Sequence, residues 1–327
     1  MTTKERLLAL LEQNKGAYFS GEELAQRFQV SRAAIWKAIQ ALRQEGYAID
    51  AVTNRGYCLS PKGDLLSAQG VEKYLRHPNL RLTVLSSVSS TNTLLRQQAD
   101  QGAPQGTVVL AGEQTAGRGR MGRSFFSPPD TGLYLSLLLR PDSFQTQQAT
   151  TLTAAAAVAM CQAMEALTGS PIEIKWVNDL YWNGKKICGI LTEGAFSLES
   201  GALEYLILGV GVNLCPPKAG FPGELDSIAG SLLEEPMDDG KNRLASEFLN
   251  RFWDCYTHPE RQDFVDEYRR RSMVLGKAVT VSLGGQTRPA VAEAIDDSCR
   301  LLVRYPNGET QALSYGEVSL TPAASGR

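Results

Sequence analysis

The chain is poor in the residues that most often mark a metal site or a catalytic triad. Its 327 residues include two histidines, His77 and His258. Each has a proline beside it, which places both in loops. The six cysteines, Cys58, Cys161, Cys188, Cys215, Cys255 and Cys299, are scattered without a C-x-x-C pair. That spacing argues against a zinc site or a disulfide scaffold and fits a reducing cytosol. Neither charge dominates: 33 Lys and Arg against 35 Asp and Glu leave a net charge of −2. Any contact with nucleic acid must therefore be local. The start, Met1-Thr2-Thr3-Lys4-Glu5-Arg6, lacks a signal-peptide pattern, so a cytoplasmic location is expected. The longest charge-poor stretch, Ala149 to Met164, is rich in Ala and Thr and is too short and too weakly apolar for a membrane span. It is expected to be a buried helix. The phosphate-loop pattern G-x-x-x-x-G-K-[ST] is absent, and the G-x-G-x-x-G dinucleotide fingerprint does not fit.

What the chain does have is a glycine–arginine run. From Gly117 to Arg123, in Gly112-Glu113-Gln114-Thr115-Ala116-Gly117-Arg118-Gly119-Arg120-Met121-Gly122-Arg123, glycines alternate with arginines. Glycine lets backbone N–H groups approach an anion, and arginine adds a planar fork that fits carboxylate or phosphate. Alone, such a run reads equally well as a solvated basic loop. Its flanks, Val108–Ala111 and Leu133–Leu139, are apolar and strand-like, so it joins two strands at a domain edge, where binding loops sit.

The N-terminal 60 residues read as three helices and a hairpin. Leu7, Leu8, Leu10 and Leu11 give the first helix. Ser20, with Glu23 as a capping box, opens the second, and Ser31 opens the third. The short Gln29-Val30 turn makes a helix-turn-helix. Strand candidates Tyr47–Val52 and Gly56–Leu59 flank Thr53-Asn54-Arg55, a wing. A three-helix protein-binding unit would look similar. DNA is favoured by Ser31, Arg32 and Lys37 on the third helix and by Arg55 at the wing tip. Trp36 is open to two readings, core or DNA-facing surface. Pro61-Lys62-Gly63-Asp64 is a linker.

Beyond it, Leu82–Val88 is a strand and Ser89-Ser90-Thr91-Asn92 caps a helix from Thr93. Those hydroxyls and the amide suit a small polar head group, or are a plain N-cap. Ile172–Trp176 is a strand and Val177-Asn178-Asp179 its exit turn. Tyr181–Lys186 is a hairpin around Asn183-Gly184. The strand Tyr205–Asn213 carries Gly209 and Gly211, where a backbone or ligand comes close. Leu244–Tyr256 and Asp263–Arg271 are helices. From Met273 the pattern changes to short strands, 278–283, 290–295, 301–304, 309–313 and 317–320, a small barrel. The fold class is α+β in three units: 1–62, 63–272 and 273–327.

Four segments carry a resemblance that covers nearly the whole chain. They are Gly117-Arg118-Gly119-Arg120-x-Gly122-Arg123 with Phe126-Ser127-Pro128, then Lys175-Trp176-x-Asn178-Asp179-Leu180-Tyr181, then Lys186-Ile187-x-Gly189-Ile190-Leu191-x-Glu193. In order and spacing the chain resembles the biotin–protein ligases, and with its N-terminus the bifunctional ligases that also repress a biotin operon. The resemblance implies a winged helix-turn-helix over 1–62, a class II synthetase-like ligase domain over 63–272 and an SH3-like barrel over 273–327. It also implies the substrates biotin and ATP with Mg²⁺. Biotinyl-5′-AMP would be made first, and the biotinyl group would then pass to a lysine of a biotin carboxyl carrier protein. The family usually has proline where Val177 stands.

On the same basis Ser90, Thr91, Asn92, Gln114, Arg118, Gly119, Arg120, Lys186 and Gly189 are expected at biotin. Arg118, Arg120, Arg123, Asn178 and Asn213 are expected at the nucleotide, with Asp179 at the metal. Lys186, Arg120 and Asp179 are the expected catalytic groups, Lys186 bridging the carboxylate and the α-phosphate. Ser31, Arg32, Trp36, Lys37 and Arg55 would meet operator DNA, with a homodimer forming once adenylate is bound. No membrane is expected. Two other readings share features: a winged-helix transcription factor that only senses biotin, and a lipoate ligase.

Overall fold

The computed structural model describes residues 1–141, 148–196, 199, 203–258, 260 and 263–320. The N-terminal unit runs α1 (Thr3–Gln13), α2 (Gly21–Phe28), α3 (Arg32–Gln44), β1 (Ile49–Val52) and β2 (Gly56–Leu59). Its core joins Leu7, Leu11, Leu24, Ile35, Ile39 and Leu42, all fully buried. The i, i+4 spacing of Ile35 and Ile39 turns one face of α3 inward. Each helix has a hydroxyl cap at Thr2, Ser20 or Ser31. The reciprocal capping box lies at Thr2 and Glu5, where Thr2 N–H donates to Glu5 Oε2 at 2.8 Å. At Ser20 the hydroxyl accepts from Glu23 N–H at 3.1 Å, so the expected box there is seen as this one arm.

The central unit follows as α4 (Ala68–Glu72), β3 (Arg81–Leu85), α5 (Thr91–Asp100), β4 (Thr107–Ala111), β5 (Gly132–Leu139), α6 (Gln148–Thr168), β6 (Glu173–Lys175), β7 (Asp179–Trp182), β8 (Lys185–Phe196), β9 (Leu203–Asn213), α7 (Leu225–Ile228), α8 (Gly240–Thr257) and α9 (Asp263–Arg271). Seven strands form one sheet in the order β3-β4-β5-β9-β8-β7-β6. Among the described strands of this sheet, β3 and β4 pair in parallel and the other neighbours antiparallel.

Strand β5 is buried along its whole length, and its side chains divide by parity. Leu133, Leu135, Leu137 and Leu139 join the large core beneath α6 and α8. Leu138 joins a smaller cluster with Leu95, Val109 and Ile207 beneath α5. Ser136 is on the α5 side as well, and there the sheet carries its polar groups. Helix α5 starts two residues earlier than the sequence suggests, because Ser90 is the cap and accepts from Thr93 N–H. The apolar helix α6 is long enough to cross a membrane, yet it packs against α8 and β8 and is mostly buried.

The C-terminal strands are β10 (Ala278–Leu283), β11 (Gln286–Ile295), β12 (Leu301–Arg304), β13 (Thr310–Leu313) and β14 (Glu317–Leu320). They form a five-stranded antiparallel sheet ordered β13-β12-β11-β10-β14. It docks on the central unit: Trp176 Nε1 donates to Cys299 O at 3.0 Å and Thr150 Oγ1 to Ser314 O at 2.9 Å.

Candidate active site and DNA-facing surface

Three neighbouring strands lack bulk at one place on the α5 side of the sheet. Ser136 pairs with Gly209, Tyr134 with Gly211, and Gly189 with Gly211 on the other side. A Cβ on Gly209 would stand 2.2 Å from Asn92 Oδ1, and one on Gly211 would stand 2.7 Å from the Phe125 ring. The missing side chains leave a cavity of about 240 Å³. Ser90, Thr91, Asn92, Gln114, Arg118, Gly119, Arg120, Arg123, Asn178, Asp179, Lys186 and Gly189 all line it.

One end of the cavity is polar but uncharged. Ser136 Oγ lies 2.6 Å from Asn92 Oδ1 and 2.8 Å from Thr91 Oγ1. Gln114 Oε1 accepts from Thr91 N–H at 2.9 Å, while Gln114 Nε2 donates to Ser127 Oγ at 3.1 Å. These bonds fix the first turn of α5 against the strand segment that leads into the Gly/Arg loop. Burial pushes the Tyr134 phenol beside them up to about 12, so it stays a neutral donor, to Pro128 O at 3.1 Å.

The other end is cationic. The Gly/Arg loop folds as a small hairpin: Phe125 N–H donates to Gly117 O at 2.9 Å and Gly119 N–H to Arg123 O at 2.7 Å. Its tip turns at Met121 and Gly122, both with positive φ, 55° and 75°. Arg118 pairs with Glu193 at 2.8 Å, Arg120 donates to Asn178 Oδ1 at 2.9 Å, and Arg123 meets Glu317 through both of its terminal nitrogens. Across the cavity Lys186 Nζ lies 2.7 Å from Asp179 Oδ1, which also accepts from Asn178 Nδ2 at 3.0 Å. The Trp176–Val177 peptide in the turn before Asn178 is cis. Lys185 points elsewhere, its Nζ donating to Asp226 O and Ser227 O at the end of α7.

Sequence reading missed several parts of this site. Ser136 and Glu317 each sit on a strand with no local motif, and Glu193, though it closes the Lys186–Glu193 motif, was given no role. Gly189 and the Gly-rich pattern of β9 hinted at the hollow floor. Asn213 does not line the cavity; its Nδ2 donates to Gly230 O at 3.1 Å, tying down the end of β9. Among the described residues no group of three or more His, Cys, Asp and Glu could hold a metal ion.

On the N-terminal unit, Ser31, Arg32, Trp36 and Lys37 lie exposed on α3, opposite its buried stripe. Trp36 is 54% exposed, which settles its two readings in favour of the surface. Arg55, exposed in the β1–β2 turn, stacks its guanidinium on the Tyr18 ring at 4.1 Å. The outer face of α3 and the β1–β2 turn thus present aromatic and cationic groups to solvent.

A cavity with a neutral polar end and a cluster of cations, on a mixed sheet followed by a small β-sheet unit, defines a carboxylate-activating ligase joined to a helix-turn-helix. Comparison with known proteins agrees in all three parts. The chain matches an HTH domain over residues 3–58, the Biotin/lipoate A/B protein ligase family over 84–213 and the Biotin protein ligase C terminal domain over 274–321. It is 40% identical to the Bifunctional ligase/repressor BirA of Bacillus spizizenii over 264 residues, 79% of this chain and 80% of that protein. It is 27% identical to the protein of the same name from Escherichia coli over 329 residues, 98% of each chain. Among solved structures it resembles the biotin protein ligase of Aquifex aeolicus in complex with biotin and ATP, with a TM-score of 0.62 and 28% identity, covering 74% of this chain and 99% of that one. The chain belongs to the bifunctional biotin ligase/repressor family.

Proposed function

We propose that the cavity activates biotin with ATP and that the same chain represses biotin genes with the activated product as corepressor. In the first step a biotin carboxylate oxygen attacks the α-phosphorus of ATP. The bond to the β-phosphate oxygen breaks, and biotinyl-5′-AMP and pyrophosphate form. In the second, the neutral amine of an acceptor lysine attacks the anhydride carbonyl, AMP departs and the amine loses its proton. The acceptor is a biotin carboxyl carrier protein.

The observation that carries this reading is the placement of Lys186, Arg118, Arg120 and Arg123 around one end of a hollow whose other end offers hydroxyls and amides. Two anions meet in the first step, so preorganised cations aimed at both lower its barrier. Lys186 takes the position between carboxylate and α-phosphate, and Thr91, Asn92 and Gln114 face the ureido group. Mg²⁺ binds through one or two carboxylates plus substrate phosphates. Asp179, on the cationic wall, is the carboxylate that would meet an ion carried in with ATP. When bound, the ion neutralises phosphate charge.

Adenylate accumulates when acceptor is scarce. Loops ordered around it complete a homodimer surface on the central unit, which sets two winged helices on one inverted repeat. The chain then acts in the cytoplasm as both ligase and repressor. Pyrophosphate exchange into ATP tests the chemistry. Exchange should depend on biotin and resist lipoate; exchange driven equally by lipoate would overturn the substrate assignment. Sedimentation with and without biotin plus MgATP tests the dimer, which should form only with both.

A further inference from the structure

Glu193 does not line the cavity, yet it holds two groups that do. From β8 its Oε2 accepts from Asn92 Nδ2 at 2.8 Å, and its Oε1 pairs with Arg118 at 2.8 Å. Asn92 is 5% exposed and Ser136 fully buried, so their bonds face little competition from water.

A carboxylate can only accept. Facing it, Asn92 must present its NH₂, which turns Oδ1 toward Ser136 and takes the Ser136 proton at 2.6 Å. Ser136 Oγ also lies 2.8 Å from Thr91 Oγ1, whose own hydroxyl donates to Gln114 Oε1 at 3.0 Å. Gln114 Oε1 keeps its bond from Thr91 N–H. Thr91 Oγ1, whose proton is spent inside the protein, faces the cavity as an acceptor. The flipped Asn92 amide would set its oxygen against the carboxylate and deprive the Ser136 hydroxyl of its acceptor.

We infer that Glu193 is a positioning residue: it fixes the orientation of the Asn92 amide, and through it the Ser136 hydroxyl beside Thr91, and it anchors Arg118, so that the neutral end of the cavity holds its acceptors ready for a ligand presenting an N–H. This rests on the biotin reading above, where the N–H belongs to the cyclic urea. Glu193 acts through Asn92 and Thr91, not through the reacting atoms.

The test compares Glu193→Gln with wild type in biotin-dependent pyrophosphate exchange, using biotin and a biotin methylated on a urea nitrogen. Losing the charged acceptor should raise the KM for biotin about tenfold, the effect of one charge-assisted hydrogen bond. The KM for MgATP should rise less than that for biotin, because Arg118 loses one anchor while Arg120, Arg123 and Lys186 keep theirs, and the preference for biotin over the methylated analogue should shrink. Ser136→Ala works through the same amide, so the double variant should do no more harm than the worse single one. A merely structural role would lower the melting temperature and add to Ser136→Ala. Unchanged KM and preference in Glu193→Gln, or additive effects in the double variant, would overturn the inference. Wild type without biotin-dependent exchange would instead refute the substrate reading.

Discussion

Lys186 Nζ stands 2.7 Å from Asp179 Oδ1, across a β7–β8 pair whose register shifts between Leu180 and Tyr181. Lys186 enters the cavity while Lys185, one residue earlier, reaches out to cap α7. Alternation along the strand separates the two roles. We predict that Lys186→Ala lowers the rate of adenylate formation about 10²–10³-fold, the usual loss on removing one preorganised group that stabilises transition-state charge. Lys185→Ala should leave that rate within about twofold while loosening the segment around Ser227. Single-turnover kinetics would check both, and equal small effects would refute the assignment.

Arg120 is the loop residue that reaches both other units of the site. It donates to Asn178 Oδ1 at 2.9 Å and to Gly316 O of the C-terminal sheet at 3.3 Å. Arg120→Gly should open that closure. We predict faster release of biotinyl-5′-AMP and biotin on unrelated lysines nearby, visible by streptavidin blotting. Lost activity with no faster release would show that Arg120 serves chemistry alone.

The hollow floor makes its own prediction. Gly209→Ala would drive a Cβ to 2.2 Å from Asn92 Oδ1, and that amide is held on both sides. We expect biotin affinity to fall at least about tenfold, with folding and the KM for MgATP retained, because overpacking acts where the ligand sits. Calorimetric titration with biotin measures it. Normal affinity would mean that the floor is not where biotin lies.

The joint between the DNA-facing unit and the ligase body is ionic and buried. Asp239, in a left-handed turn before α8, accepts from Lys15 of the N-terminal unit at 3.0 Å, and Lys73 bridges Asp239 at 2.6 Å and Glu12 at 2.9 Å. Burial alone would raise the Asp239 carboxyl, but bonds from Lys73, Tyr74, Asn242 and Lys15 hold it well below the carboxylate range. An acid lowered in this way contributes its stability above its unfolded pKa, about 3.9, and loses it as pH falls toward the folded value. Asp64 has the opposite sign. Burial raises it to about 6, so its cost grows as pH rises from about 4 to about 6. We predict that Asp239→Asn destabilises the joint by roughly 3–5 kcal/mol and removes the loss below pH ~4. Asp64→Asn should flatten the slope above it. Urea unfolding from pH 3 to about 7 would check both.

What the sequence made legible was local. The Gly/Arg run, Lys186 and the Asn178-Asp179 turn could be read because their neighbours within a few residues form motifs, and all line one cavity. The helix-turn-helix was legible from apolar spacing and hydroxyl caps. Ser136 and Glu317 were not, and Glu193 was legible only as the end of a motif without a role, because each works through a partner 44 to 194 residues away, and an acid or a serine on a strand reads as surface or filler. Trp36 stayed ambiguous until its exposure was seen, since periodicity alone allows an aromatic on either face of α3. Asn213 followed a family pattern into the nucleotide set, but its amide is engaged with Gly230 O outside the cavity.

The most direct measurement is retention of the intermediate. Mix the full chain with biotin and MgATP, remove free nucleotide by rapid gel filtration, and analyse the protein peak by mass spectrometry. Biotinyl-5′-AMP should co-elute with the wild-type chain, be absent with Lys186→Ala, and disappear with AMP release when a biotin carboxyl carrier protein is added. A wild-type chain that binds biotin yet yields no retained adenylate would contradict the account and leave a sensor without chemistry.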